Sequence, residues 1–127
     1  MILITGGANQ GKLDYAIKKY NLNRDDLCSG EKYVFTENSK IKCIYNYHLL
    51  VKELIEHDED PIAFTKQLIR QYPDMIIIIN EIGSGIIPMD KKNRIWREQA
   101  GKAGCIIAEH SESVERIVCG ISIELKG

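Results

Sequence analysis

A chain of 127 residues is enough for one domain with its own core, so residues 1–127 are read as a single domain. With 17 basic and 18 acidic residues the net charge is −1, which excludes a global pull toward nucleic acid or an anionic membrane. The longest apolar runs, such as residues 75–79, fall far short of a membrane span.

Met1 to Thr5 is a short apolar run that predicts a buried strand. Because Met1 leads directly into it, no signal peptide is expected and the expected compartment is the cytoplasm. Gly6 to Lys12 is glycine-rich, and from Leu13 to Tyr20 the residues Leu13, Ala16, Ile17 and Tyr20 form one helical stripe. Residues 21–30 are polar and turn-rich. Lys32 to Thr36, β-branched and aromatic, predicts a second strand, and Ile41 to Tyr45 a third. A helix is expected from Asn46 or Tyr47 to about His57, with Leu49, Leu50, Leu54 and Ile55 as its stripe. Asp60 is a suitable N-cap and Pro61 a suitable first residue for the next helix, which Pro73 stops after Tyr72.

Asp74 to Ile79 is the most hydrophobic stretch, and a continuous apolar run is what a central parallel strand requires. Asp90 caps a long predicted helix from Lys91 to about Glu109. Gly101 and Gly104 interrupt that pattern, each at about 1 kcal/mol relative to Ala, which implies close packing or an early end. Val114 to Leu125 is a final strand, or two bent at Gly120. Strands alternating with helices predict an α/β fold with a mostly parallel sheet.

The strand–loop–helix order at the start carries the chemistry. Gly6-Gly7-Ala8-Asn9-Gln10-Gly11-Lys12 fits G-x-x-x-x-G-K, a phosphate-binding loop. Its glycines let several N–H groups converge on one point, and the helix that follows turns its positive end to the same point. Lys12 can reach the outer phosphates of a nucleotide. The next position, where a Ser or Thr hydroxyl holds Mg²⁺, is Leu13. The competing reading is a glycine-rich turn with a surface lysine.

Ligands of open α/β sheets sit at the carboxyl ends of the strands, which is where Glu81 follows the 74–79 run. A carboxylate there can hold Mg²⁺ through water or act as a general base; it can equally be an exposed loop residue. Asn80 can bond a substrate or merely finish the strand, and Gly83, Ser84 and Gly85 suit either a ligand contact or a turn. Cys28, Cys43, Cys105 and Cys119 form no C-x-x-C pair, and Cys43, Cys105 and Cys119 are expected to be buried thiols in apolar surroundings. His48 and His57 fall on the predicted 46–57 helix and read as surface histidines; His110 lies near a helix end.

Two motifs together resemble one family. I-L-I-T-G-G-A-N-Q-G-K at Ile2 to Lys12 and N-E-I-G-S-G-I-I-P at Asn80 to Pro88 are similar to the adenosylcobinamide kinase / adenosylcobinamide-phosphate guanylyltransferase family. Arg94, Trp96, Arg97, Glu98, Ala100 and Gly101 resemble its R-x-[FY]-R-D-x-x-G, and Val118-Cys119-Gly120-Ile121 its V-S-G-I. The resemblance implies a RecA-like three-layer P-loop fold, a homotrimer, ATP or GTP with Mg²⁺, and a cobinamide hydroxyl as phosphoryl acceptor. It also implies that Gly6 to Leu13 bind the nucleotide, Lys12 acts on the transferring phosphate, and Glu81 serves catalysis or metal. The family's guanylylated histidine segment has no counterpart after the second strand, and Gly104-Cys105 replace its Asn-Gln. The expected activity is therefore the kinase step, with the guanylyl step lost. The alternatives are a non-catalytic nucleotide or corrinoid binder, and an interaction protein with a vestigial loop.

Overall fold

The structure, a computed structural model, describes residues 1–34, 40–81 and 90–127. Six strands form one sheet: β1 Ile2–Gly6, β2 Leu27–Ser29, β3 Cys43–Tyr45, β4 Ile76–Asn80, β5 Ser113–Val118 and β6 Ile121–Lys126. Their order is β2-β3-β4-β1-β5-β6, parallel throughout except for the antiparallel β5–β6 hairpin. The α/β expectation is met, and 114–125 takes its two-strand form. Cys119 and Gly120, at φ 51° and 76°, make the turn.

Among the described residues, α1 Lys12–Tyr20 covers one face of the sheet, packing Ala16 and Leu13 on Ile4, Ile76, Ile78 and Ile117. On the other face lie α2 Gly30–Tyr33, α3 Tyr47–Glu56, α4 Pro61–Gln71 and α5 Lys91–His110, packed on Leu3, Ile44, Ile77, Ile79 and Val114. β4 is buried on both faces, which is why its sequence shows no alternation. Each such isoleucine contributes about 1.5–3 kcal/mol.

The caps work as their sequence implies. Asp60 Oδ1 accepts from Ile62 N at 2.9 Å, and Asp90 Oδ1 from Asn93 N at 2.8 Å. α5 runs on through both glycines. Buried Ala100, Ala103 and Ile107 fix it to the sheet, and a Cβ on Gly104 would sit 3.8 Å from Ile79 Cδ1, an ordinary contact.

Propensity misplaces the second strand. Lys32 and Tyr33 belong to α2, residues 35 and 36 lie outside the described residues, and the strand is Leu27–Ser29. Tyr33 is buried, its ring edge-on to Phe64 at 6.3 Å, so packing overrides its β preference. Gly30 permits this arrangement: a Cβ there would lie 2.2 Å from the Asn46 carbonyl oxygen. The third strand is shorter than expected, starting at Cys43.

A buried carboxylate fastens α1 to the sheet. Glu115 on β5 is 2% exposed and accepts from Lys19 Nζ at 2.5 Å, Tyr20 Oη at 3.3 Å, Tyr15 Oη and Ser122 Oγ. Burial works against its charge, but the hydrogen bonds from Lys19, Ser122 and Tyr15 outweigh burial and hold its pKa down at about 2. A depressed carboxyl pKa adds stability that is full above the unfolded value near 4.5 and is lost as pH falls through 2. Glu115→Gln should therefore cost about 1–3 kcal/mol at pH 7 and show a flatter loss of stability between pH 4.5 and 2. Urea unfolding at pH 7, 4 and 2.5 measures both.

Candidate functional site

β1 and β4 are neighbours, with Gly6 opposite Asn80, yet the helix after β1 covers one face and the helix before β5 the other. A crevice therefore opens at their carboxyl ends, the place where open α/β sheets take ligands. The glycine-rich loop lies there. Gly6 (φ 147°) can only be glycine, because a Cβ would come within 2.5 Å of the Ile117 carbonyl oxygen. Asn9 (φ 60°) and Gly11 (φ 83°) are left-handed and bend the loop into α1, which no side chain caps at its start. Its first-turn amides and positive end thus face the crevice.

Lys12 is no surface lysine. It is 7% exposed and donates from Nζ to Gly7 O at 2.6 Å, across the loop. Burial lowers its pKa, against which the charge of Glu81 works. Beside it is a cleft of about 300 Å³ lined by residues 8–14, Tyr45, Asn46, Ile78 and Asn80. A larger cleft of about 590 Å³ lies at the amino ends of the strands, among Ile2, Pro73 and Met75, away from the loop.

Strand alternation decides which way the residues after β4 face. Ile76 and Ile78 pack toward α1, and Asn80 joins them in the loop cleft. Ile77 and Ile79 pack toward α5, and Glu81 lines a separate cleft of about 400 Å³ with Thr5, Arg97, Gly101 and Gly104. Glu81 N donates to Gly6 O at 2.9 Å, so its backbone belongs to the crevice. Its carboxylate accepts from Arg116 Nε at 2.8 Å and Nη2 at 3.1 Å. The loop cleft therefore gathers Ala8, Asn9, Gln10, Gly11, Lys12 and Leu13, while Glu81 is joined to it through backbone and field rather than by its side chain. Gly83, Ser84 and Gly85 lie outside the described residues.

Tyr45 and Asn46 line the cleft although nothing in the sequence assigns them to it, and Asn80 both ends β4 and lines the cleft. The signal for Asn80 is the period of two along 76–80. Asn46 is left-handed (φ 54°), and its side chain does not cap α3. The nearest hint is an Asn ahead of a helix, where an ordinary cap is the first reading.

His48 corrects an expectation. It is 6% exposed, not on the surface, because the buried stripe of α3 is Tyr47, Leu50, Val51 and Leu54, shifted from the stripe read in the sequence. Asn80 N donates to His48 Nδ1 at 3.1 Å, which leaves the ring proton on Nε2, and Trp96 Nε1 donates to the His48 carbonyl at 2.7 Å. Burial, then the Lys12 charge, lowers its pKa to about 4, with Glu31 opposing. His57 is exposed as expected, His110 at the end of α5 is exposed too, and none of the three histidines lines the loop cleft. Cys43 is buried, which pushes its thiol up to about 12, and Cys28 is also buried. Cys105 and Cys119 are exposed, contrary to expectation: the first sits on α5 at the rim of the cleft that Glu81 lines, the second in the β5–β6 turn.

Protonating His48 would break its bond from Asn80 and place a cation near Lys12. A lowered histidine pKa costs stability only as pH falls from the unfolded value, 6.5, toward 4. The His48 ring signals should thus stay those of a neutral Nε2–H tautomer from pH 7.5 down to 5, which an NMR pH titration follows directly.

The model of the cobinamide kinase / cobinamide phosphate guanyltransferase family matches residues 35–125. The match starts beyond the glycine-rich loop and takes in α3, α4, β4, α5 and the β5–β6 hairpin almost whole. A search of curated proteins finds no match. With most of its length matched, the chain belongs to the cobinamide kinase / cobinamide phosphate guanyltransferase family.

Proposed function

We propose that the chain binds a nucleoside triphosphate at Gly6–Leu13 and passes the terminal phosphoryl group to a hydroxyl of a cobinamide-like acceptor, in cobalamin biosynthesis. One observation carries this reading: in a member of this family, a glycine-rich loop with a buried lysine opens the first helix at the β1–β4 crevice.

Backbone N–H groups from Gly7 to Leu13 would receive the phosphates. Lys12 would exchange its bond to the Gly7 carbonyl for a phosphate oxygen, and the arriving negative charge would favour its ammonium form. Phosphoryl transfer needs mainly positioning and charge neutralisation, which these groups supply. Asn80, facing the cleft, is suited to orient an acceptor. For Glu81 to serve as base or metal ligand, it must first let go of Arg116.

The Mg²⁺ expected with the nucleotide finds no ready ligand set among the described residues: Leu13 has no side-chain oxygen, and both carboxylate oxygens of Glu81 accept from Arg116. The proposal is confined to the kinase step, since a guanylyl-histidine needs an imidazole at the nucleotide and His48, His57 and His110 all lie off the loop cleft. The family resemblance implies a homotrimer, and exposed Ile121, Ile123 and Leu125 on β6 are a surface that another copy can cover. No helix among the described residues is long and apolar enough to cross a membrane. A cytoplasmic location is proposed together with the biosynthetic role.

A second reading is nucleotide binding without turnover, favoured by Leu13 and by the Arg116–Glu81 pair. Calorimetry with ATP and GTP, with and without Mg²⁺, tests both. Micromolar binding that Lys12→Ala weakens at least tenfold is expected, and phosphorylation of cobinamide separates enzyme from binder. No heat with either nucleotide in the folded protein sinks both readings and leaves a vestigial loop on an interaction scaffold.

A further inference from the structure

Gln10 is neither a glycine nor the cation of the loop, yet it ties the loop to the rest of the molecule. Its Oε1 accepts from Cys119 N at 2.6 Å, and its own carbonyl accepts from Gly120 N at 2.9 Å. Its Nε2 reaches back to Ala8 O at 3.4 Å. Cys119 and Gly120 are the β5–β6 turn, and Cys119 holds a left-handed φ of 51° that costs a residue with a Cβ about 1–2 kcal/mol unless its surroundings fix it. The next residue of the loop approaches the same turn: a Cβ on Gly11 would sit 3.7 Å from Gly120 Cα.

This placement has a mechanical meaning. The loop leaves from β1, and the turn that grips its middle leaves from β5, the strand paired with β1. Both ends of the grip therefore stand on one rigid sheet. Without Gln10, the described side-chain contact across the loop would be Lys12 to Gly7 O, and that is the contact an arriving phosphate takes away.

We propose that Gln10 is a positioning residue that clamps the loop to the β5–β6 turn and so keeps it shaped for phosphate before any phosphate arrives. The inference rests on nucleotide binding at the loop, as argued above. A preformed loop spares the ordering cost that a slack loop would meet on binding.

Two variants test it. Gln10→Met keeps the length and removes the acceptor; Gln10→Glu keeps an acceptor oxygen for Cys119 N. Amide hydrogen exchange at Cys119 is read by NMR, ATP affinity by calorimetry and melting by circular dichroism. In Gln10→Met, exchange at Cys119 should quicken about fivefold, the fold-change of one ordinary hydrogen bond, and ATP should bind about tenfold more weakly. The melting temperature should move by less than about 2 °C, as for a surface contact. Gln10→Glu should restore slow exchange at Cys119. Unchanged exchange in Gln10→Met overturns the clamp, and unchanged affinity despite faster exchange overturns its role in positioning. A wild-type chain that binds no ATP overturns the functional reading instead, and the exchange comparison then decides the clamp alone.

Discussion

The close approach of backbones at Gly6 governs the architecture of the crevice. Gly6 ends β1 with its Cα against the Ile117 carbonyl, paired with Asn80 on one side and leaving no room for a side chain on the other. The loop can therefore begin flush with the sheet, and everything after it inherits that position. Lys12 falls back across the loop instead of out into water, and α1 starts with its open amides over the ends of β1 and β4. Glu115 on β5 secures the far part of α1 through Lys19 and Tyr20, so the helix is held at both ends.

Among the described residues around the loop, Lys12 is a cation that faces no carboxylate in direct contact. Arg116 is neutralised by Glu81 at 2.8 Å, and His48 is kept uncharged by burial and by the Asn80 amide that it accepts. Lys12 faces a loop carbonyl, with burial weakening its hold on the proton and Glu81 restoring part of it. A buried cation held by a carbonyl rather than a carboxylate is costly, and an anion in the crevice would relieve that cost. While Arg116 stays in place, both carboxylate oxygens of Glu81 are occupied by it.

Much of this is legible in the sequence, for identifiable reasons. β1, β4, α4 and α5 declare themselves through long apolar runs or through Asp60 and Asp90 as caps, signals that are local and strong. β2 escapes because three residues at a sheet edge carry too little pattern, while Tyr33 and its neighbours look β-forming until Phe64 and Gly30 show how they pack. The loop is readable from Gly6, Gly11 and Lys12. The direction of Glu81 is not, since it depends on where β4 ends: with Asn80 as the last strand residue, alternation sends Asn80 to the loop and Glu81 to α5. His48 is misread because α3 buries Tyr47 and Val51 as well as the leucines, which turns its apolar face toward the histidine.

Leu13 shows how a departure from a motif can be absorbed by the fold. It is half-buried and packs with Ile4, Ala16 and Ile78 on the α1 face of the sheet. A serine there would present a hydroxyl to the crevice but would give up apolar contact worth about 1–2 kcal/mol. The chain therefore holds its first helix down with a side chain where the motif holds a metal. Lys12 and the backbone amides are unaffected by that exchange, because their positions follow from Gly6, Gly11 and the β5–β6 turn. On the function proposed, phosphate recognition and metal recognition are thus separable in this loop: the first needs amides and a lysine fixed by backbone geometry, the second a hydroxyl that packing has replaced.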